Sequence, residues 1–430
     1  MTNYELISTK DLLIDVNDST VNIIDVRPVD NYNGWCIPNQ KRGGHIKNAR
    51  SLPVKWADYL DWIDIVKAKN IDPKNKIIIY SYSLKDSEKV ATMFKEFGYH
   101  KLYIYDKFLS EWANKESMPL YKLARYKQLV SAEWLKQLID TGKAPEYDSK
   151  KFVICHCHYQ NQQDYEKDHI PQAISVDSNS LESQETWNRR SPEELKATLE
   201  GYGITADTTV IFYGRFSSPD NNDPFPGSYA GHLGAIRCAA IMLYAGVNDV
   251  RILNGGMQSW LDAGFEVTNK SFNPTPVPDF GVNIPANPQY FIDIPGAKDI
   301  LARPSEANLV SVRSWPEYIG EVSGYNYITK KGDIPGAIFG NCGSDAYHME
   351  NYRNLDHTMR EYQEVAKLLA EVGITPDKQN AFYCGTGWRG SEAFFNAWLM
   401  GWPKVSVFDG GWFEWSNDES NPIRIGDPTK

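Results

Sequence analysis

The sequence predicts three α/β domains in tandem, each with a mostly parallel sheet flanked by helices on both faces. The chain has 430 residues, which suits several domains of about 100 to 200 residues each. Short apolar strands alternate with helical stretches along the whole chain, a pattern typical of parallel sheets. The same succession of elements occurs three times.

A repeated segment marks the end of each predicted domain. It begins with a glycine after a helical stretch, continues with a β-rich stretch, and reaches a tryptophan fourteen residues after the glycine. The three copies are residues 98–112, 246–260 and 401–415. An equal spacing in three places predicts three copies of one domain fold rather than one large domain.

Each copy also carries an apolar strand that ends in tyrosine, and upstream of it a short turn preceded by another strand. The tyrosine-ended strands are residues 77–80, 210–213 and 381–383. The turn motifs begin at Gly44, Asp168 and Gly332, after strands that begin at Asn22, Phe152 and Asn308. Every domain is therefore predicted to run helix, strand, turn, helix, strand, helix, strand.

We place the domains at residues 1–120, 127–268 and 288–430. Residues 266–290 contain five prolines, a composition that excludes a helix and favours an extended, semi-rigid connector. The middle domain has an insertion at residues 216–233, rich in Ser, Pro, Asn, Asp and Gly, where the other copies have a brief loop. Long irregular loops of this kind often carry function.

Composition and charge exclude several classes of protein. Apolar residues make up 42% and charged residues 23% of the chain, which excludes a disordered or fibrous protein. A net charge of -10 without a local basic cluster argues against nucleic acid as a partner. The longest apolar stretch, residues 239–247, is far shorter than the roughly 20 residues of a membrane span. We expect a cytoplasmic protein without a membrane anchor, or a periplasmic one if an export segment was removed.

The strongest candidate site follows the tyrosine-ended strand of the third domain, because ligands of parallel sheets bind beyond the carboxyl ends of the strands. Its glycines let successive N–H groups point inward as a nest for an anion, and the following helix adds partial positive charge. We expect this environment to favour the thiolate form of Cys384, a good nucleophile. Arg389 would hold an anion, and Trp388 is either a lid or a substrate contact. The candidate residues are Cys384, Gly385, Thr386, Gly387, Trp388 and Arg389.

The other two domains carry no thiol at this place. The first has Ser81 after its strand, and the second has Gly214 and Arg215 before the insertion, so we expect both domains to be inactive. Residues 155–158 (Cys-His-Cys-His) suggest a metal site, but alternation along a strand sends successive side chains to opposite faces. No second ligand pair lies nearby in the sequence, so we expect no metal and no organic cofactor.

With these motifs, the sequence resembles the rhodanese family of sulfurtransferases, and especially its members with three rhodanese domains in one chain. The resemblance is carried by DVR and GHI in the first domain, DHIPQA and LNGGMQSW in the second, and VRSWPEY, GDIPGA, CGTGWRGS and FDGGWFEW in the third. It implies that Cys384 takes sulfane sulfur from thiosulfate or 3-mercaptopyruvate and passes it from a persulfide to cyanide or a protein thiol. It also implies that the loop amides cradle the persulfide and that Arg313 binds an anion.

Two alternatives stay open. A Cys-dependent phosphatase also uses a cysteine, a curled loop and an arginine, although the four residues between Cys384 and Arg389 are expected to be too few to wrap a tetrahedral phosphate. A sulfur-carrier module would accept sulfur on Cys384 from a partner desulfurase and relay it. Because ligand pockets form where domains meet, we expect the loop to face the middle domain, with the insertion at the edge of the mouth of the site.

Overall fold

The computed structural model describes residues 4–216 and 231–430. The chain forms two compact units, Met1–Lys127 and Gln128–Lys430. Most of the predicted insertion, residues 217–230, lies outside the described residues. None of the helices in the described part of the chain is long and apolar enough to cross a membrane.

The first unit holds one five-stranded parallel sheet. Its strands are β1 (Glu5–Leu6), β2 (Val21–Asp25), β3 (Ala49–Ser51), β4 (Lys76–Tyr80) and β5 (Leu102–Tyr105), in the order β1-β5-β4-β2-β3. Its helices are α1 (Thr9–Asp15), α2 (Val29–Asn33), α3 (Trp62–Ala68) and α4 (Leu84–Glu96). The first helix begins at Thr9, because the Ser8 hydroxyl accepts a hydrogen bond from the Asp11 N–H and so caps it.

The second domain repeats this sheet. Its strands are β6 (Leu129–Val130), β7 (Phe152–His158), β8 (Ala173–Asp177), β9 (Thr209–Tyr213) and β10 (Asp249–Leu253), in the order β6-β10-β9-β7-β8. Its helices are α5 (Ala132–Thr141), α6 (Gln162–Lys167), α7 (Pro192–Gly201), α8 (Gly231–Ala245) and α9 (Gly256–Asp262). Every residue of α8 is buried, as expected of a helix that is covered on all sides.

The third domain has the same order of strands, β11-β15-β14-β12-β13. They are β11 (Phe291–Ile292), β12 (Ala307–Ser311), β13 (Ile338–Phe339), β14 (Gln379–Tyr383) and β15 (Val405–Phe408). The helices are α10 (Ile294–Leu301), α11 (Trp315–Tyr318), α12 (Tyr362–Ala370), α13 (Trp388–Leu399) and α14 (Gly411–Asn417). Short 3-10 turns lie at Val54–Asp58, Tyr126–Gln128, Ser178–Ser180 and Pro288–Tyr290, and a π-helical turn at Phe108–Ala113.

The predicted threefold repeat is confirmed in detail. The tryptophan that ends each segment is buried, and its indole N–H donates to a backbone carbonyl a few residues later: Trp112 to Pro119, Trp260 to Glu266 and Trp415 to Pro422. The glycines that begin the segments have positive φ, which L side chains rarely adopt: Gly98, Gly246 and Gly401. A left-handed glycine after a helix and a buried indole therefore fix the length of the repeat in all three domains.

The proline-rich connector runs along the middle domain. Residues 266–287, all within the described part, form no helix or strand beyond one bridge between Thr268 and His169. Phe280 is fully buried, and its N–H donates to the Glu200 carboxylate while its carbonyl accepts from Ala206. The connector is extended, as predicted, and is attached to the domain that precedes it.

Helix α13 crosses β14 so closely that Gly390 has no room for a side chain. A Cβ at Gly390 would lie 3.0 Å from the Phe382 carbonyl oxygen and the Tyr383 Cα. We expect Gly390→Ala to lower the free energy of unfolding by roughly 1–3 kcal/mol, measured by urea denaturation. Gly201→Ala is the matched control, since a Cβ at the last residue of α7 meets nothing within 4 Å and alanine favours helix. An equal loss of stability in both variants would contradict this account.

Candidate active site

The candidate loop lies at the carboxyl end of β14, where the sequence predicts it. Cys384 directly follows the strand, and α13 begins at Trp388. The reason is Gly387, which has a φ of 116° and is the N-cap residue of the helix. The first N–H groups of α13, which have no partner within the helix, therefore lie next to the cysteine.

Cys384 is held inside this loop. Its side chain is 0% exposed, and the Gly387 N–H donates to Sγ at 3.2 Å, which is the inward N–H that the glycine pattern predicts. The Cys384 carbonyl accepts a 2.9 Å hydrogen bond from the Trp412 N–H at the start of α14. A Cβ at Gly411 would lie 2.5 Å from that carbonyl oxygen, so the glycine of the FDGGW motif lets α14 approach the loop.

Arg389, expected to hold an anion, is paired with a carboxylate of its own domain. The side chain is buried, and its Nη1 and Nη2 donate to the two carboxylate oxygens of Glu317 at 3.0 and 2.8 Å. Nη2 also donates to the Tyr325 hydroxyl at 3.0 Å. A buried two-point ion pair of this kind is strong and directional. The guanidinium thus pairs with a carboxylate and fixes the start of α13, and anion binding by Arg389 stays a prediction.

Arg313, expected to bind an anion, is also part of the scaffold. It is 0% exposed, donates to the Gly332 carbonyl at 2.6 Å and lies 3.4 Å from the Asp333 carboxylate. The first domain, which has no cysteine directly after β4, has a similar arrangement, with Arg27 donating to the Gly44 carbonyl at 2.7 Å and to the buried Asp25 carboxylate. Because the contact recurs where there is no candidate nucleophile, we assign it to the connection between strand and turn motif in both domains, and anion binding by Arg313 stays a prediction.

Sequence reasoning missed two tyrosines beside the loop. The ring of Tyr325 lies on Gly385, where a Cβ would be 2.1 Å from it, and Tyr327 lies beside Thr386 and Cys384. Burial, and secondarily the nearby Cys384, raises the pKa of both tyrosines, so they stay protonated and can donate hydrogen bonds. The Tyr-Asn-Tyr run lies in an irregular loop and has no periodicity; its aromatic content was the only signal available.

The active loop faces the middle domain, as the sequence analysis expects. The Trp388 indole N–H donates to Glu182 at 2.7 Å, and the Trp388 ring packs edge-to-face on Tyr159 with centroids 5.7 Å apart. On α8, a Cβ at Gly234 would lie 3.3 Å from the Trp388 ring. Trp388 is therefore part of the seam between the second and third domains.

A buried charge cluster lies next to this seam. Arg237 on α8 donates to Asp409 at 2.6 Å and to Glu182 at 3.0 Å, and all three side chains are 0% exposed. Arg189 adds a second contact of 2.8 Å to Asp409. Burial raises the pKa of Glu182, and the positive charge of Arg237 opposes this shift.

The Cys-His-Cys-His stretch lies in β7 with its side chains distributed among different neighbours. His156 lies 3.2 Å from Asp164, whereas the Cys157 and Cys238 sulfurs are 3.6 Å apart. Among the described residues, no group of three or more His, Cys, Asp or Glu side chains is arranged to hold a metal ion.

Fold and site together define a class: tandem parallel α/β domains in which one copy presents a cysteine inside a curled loop at the carboxyl end of its sheet. The family described as rhodanese-like domain matches residues 8–115, 126–263 and 295–418. The chain belongs to this family and is a sulfurtransferase. Sulfur transfer, rather than phosphate-ester hydrolysis, is therefore its chemistry.

Known proteins extend the similarity over nearly the full chain. The thiosulfate sulfurtransferase YnjE of Escherichia coli (strain K12) is 41% identical over 410 residues, which are 94% of this chain and 89% of YnjE. The sulfur carrier protein TtuD of Thermus thermophilus is 28% identical over 321 residues, 70% of this chain and 97% of TtuD. The structure of wild-type EanB has a TM-score of 0.97 and 56% identity, covering 99% of both chains.

The ion pair behind the loop gives a pH-dependent stability. Burial opposes ionisation of Glu317, yet Arg389 and Arg313 hold its pKa at about 2, below the ordinary 4.5. A carboxylate with a lowered pKa stabilises the fold above its unfolded pKa, and that contribution is lost as the pH falls through the folded value. We expect Glu317→Gln to lower the free energy of unfolding at pH 7 by on the order of 3–5 kcal/mol, because it leaves Arg389 buried without its partner.

The check is urea denaturation of wild type and variant over a series of pH values. The difference between them should shrink as the pH falls from 4.5 towards about 2. Glu321→Gln, at an exposed position nearby in the sequence, is the control and should track the wild type throughout. A difference between wild type and Glu317→Gln that does not change with pH would show that Glu317 acts by packing rather than by charge.

Proposed function

We propose that Cys384 carries sulfane sulfur as a persulfide and transfers it to the imidazole ring of a betaine such as hercynine, which gives ergothioneine. The observation that carries the proposal is the likeness of the site to EanB. Solved forms of EanB hold hercynine, and one holds ergothioneine linked to a persulfide cysteine. Variants at a threonine and a tyrosine were solved with these ligands, and those residues have the same separations from the persulfide cysteine as Thr386 and Tyr325 have from Cys384.

In the loading step, the Cys384 thiolate attacks the outer sulfur of a donor such as a polysulfide or thiosulfate. The Sγ–S bond forms, the donor S–S or S–sulfonate bond breaks, and the electron pair leaves on the shortened polysulfide or on sulfite. The Gly387 N–H, 3.2 Å from Sγ, stabilises the thiolate before attack. The positive end of α13 adds to this stabilisation.

In the transfer step, the C2–S bond forms on the imidazole ring while the Sγ–S bond breaks, and Sγ keeps the electron pair as a thiolate. The C2 proton is released. Carbon is oxidised by two electrons and the sulfane sulfur is reduced by two, so no further oxidant enters. The Tyr325 ring covers Gly385, and Tyr327 hydrogen bonds with Thr386, so both tyrosines help to hold the loop around the sulfur.

A second candidate acceptor is cyanide or a small thiol, favoured by the 41% identity to a thiosulfate sulfurtransferase. Burial of Cys384, at 0% exposed, supports a small acceptor for either chemistry. A cysteine on the surface of a folded partner would reach the sulfur only if the loop opened.

The proposal predicts that Cys384→Ser abolishes both product-forming reactions, with a loss of at least about 1,000-fold in rate, since a serine hydroxyl cannot form the persulfide. The assay supplies polysulfide or thiosulfate, with either hercynine or cyanide, and measures ergothioneine by mass spectrometry and thiocyanate by absorbance. Cys36→Ser removes an exposed thiol of the first domain and is the matched control with unchanged rates.

Each outcome of this assay decides a different part of the proposal. Turnover retained in Cys384→Ser would refute the assignment of the persulfide to this residue. Thiocyanate without ergothioneine in the wild type would leave sulfur transfer in place and refute the imidazole acceptor.

A further inference from the structure

We propose that four aromatic rings, two from the second domain and two from the third, form a binding site for a quaternary ammonium group next to Cys384. The four rings, called the aromatic row below, are those of Tyr159, Trp187, Tyr327 and Trp388. The inference rests on the proposed function, since hercynine carries a trimethylammonium group. It identifies the part of the acceptor that the middle domain, which has no cysteine directly after β9, recognises.

The rings of the aromatic row follow one another at contact distance across the seam between the domains. Ring centroids are 5.7 Å apart from Trp388 to Tyr159, 5.8 Å from Tyr159 to Trp187, and 5.2 Å from Trp187 to Tyr327. Tyr327 is 42% exposed, and the other three are partly exposed. Large rings that contact each other and also reach solvent form a surface on which a quaternary ammonium ion is attracted to the ring faces.

The charges behind the aromatic row favour a cation. Burial is the largest cause that raises the pKa of Tyr159, and the carboxylates of Glu182 and Asp177 raise it further. Glu182 also accepts a hydrogen bond from the Trp388 indole. Arg237 reaches this region through a 3.0 Å hydrogen bond to the Trp187 carbonyl. Arg237 pairs with Glu182 and Asp409, and Arg189 pairs with Asp409 as well, so these four charges balance and Asp177 is the carboxylate near Tyr159 that they leave uncompensated.

The backbone of Trp187 is held in an unusual conformation. Its φ is +61°, in the left-handed region that bulky residues rarely adopt. The Trp187 N–H donates to the Ser183 carbonyl at 2.7 Å, and its carbonyl accepts from Arg237, so the conformation is fixed on both sides. It brings the indole within 26° of parallel to the Tyr327 ring. Strained residues of this kind cluster where ligands bind.

Tyr327 connects the aromatic row to the reacting sulfur. It lies beside Thr386 and Cys384, and its ring centroid is 5.2 Å from that of Tyr325, which covers Gly385. A betaine with its imidazole carbon at the Cys384 persulfide would therefore extend its ammonium group from Tyr327 towards Trp187. The third domain would hold the reacting ring, and the middle domain would hold the cationic end.

A binding experiment without turnover tests the site by itself. Choline and its neutral isostere 3,3-dimethyl-1-butanol are titrated into the full chain and followed by calorimetry. We expect choline to bind more tightly than the alcohol, and Trp187→Leu and Tyr159→Leu each to weaken choline binding by about tenfold or more. Trp187→Phe keeps an aromatic face and should restore part of the affinity. Phe97→Leu, which alters a 49% exposed ring of the first domain, is the matched control.

A second measurement compares acceptors. Hercynine and histidine share the imidazole ring, but histidine lacks the methyl groups, so the preference for hercynine in KM should fall by about tenfold in Trp187→Leu and in Tyr159→Leu. Circular dichroism and thermal unfolding establish that each variant is folded, and either variant is sufficient for the test.

The outcomes separate this inference from the proposed function. Equal binding of choline and the alcohol, no choline binding, or unchanged affinity in both leucine variants would overturn the aromatic row as an ammonium site, even if ergothioneine is formed. Choline binding that depends on Trp187 and Tyr159, in a protein that forms no ergothioneine, would support the ammonium site and refute the acceptor proposed above.

Discussion

The active loop depends on the buried pairing of Arg237 with Asp409 and Glu182. Three charges without solvent contact are tolerated only when each has its partners, since an unpaired charge at such a position costs several kcal/mol. Each of the two carboxylates is connected to the active loop. The second oxygen of Glu182 accepts the Trp388 indole, and Asp409 immediately precedes the Gly410-Gly411 turn from which α14 binds the Cys384 carbonyl. The Arg237 cluster thus fixes Trp388 on one side of Cys384 and the start of α14 on the other.

A second buried pair, Arg389 with Glu317, fixes the loop from the side of α11. The two clusters together explain how a short glycine-rich segment keeps its N–H groups aimed at a sulfur when glycine itself provides no rigidity. Donors that are already oriented stabilise developing negative charge without reorganisation at the moment of reaction. The charged residues of this site therefore contribute mainly by holding the backbone of the loop in place, and the Gly387 amide contacts the sulfur.

The repeated fold could be predicted from the sequence because its determinants are local. The apolar strands β4, β9 and β14, the glycine after each helix and the buried indole after each last strand all leave a regular spacing. The roles of Arg389 and Arg313 could not be predicted in this way. An arginine in a glycine-rich loop suggests an anion, but whether that anion is a substrate or a carboxylate is decided by tertiary contacts, here with Glu317 and Asp333.

The same limit applies to the aromatic surroundings of the cysteine. Tyr325 and Tyr327 lie in an irregular loop of the third domain, and Tyr159 and Trp187 lie in another domain. Neither periodicity nor motif spacing indicates that such residues meet. The start of α13 at Trp388 likewise depends on the positive φ of Gly387, which glycine permits but does not require.

The middle domain has no cysteine after β9, yet it contributes to the surroundings of the active loop. At the end of β9, Arg215 pairs with Asp164 and Asp168 of its own domain. The charge of Arg215 is therefore neutralised within the middle domain and needs no partner from the third domain. The segment with Glu182 and Trp187 contacts the third domain instead. A domain without a cysteine after its central strand can still form a wall for its neighbour, and the contacts of Glu182, Tyr159 and Trp187 with the third domain place such a wall beside the loop that carries Cys384.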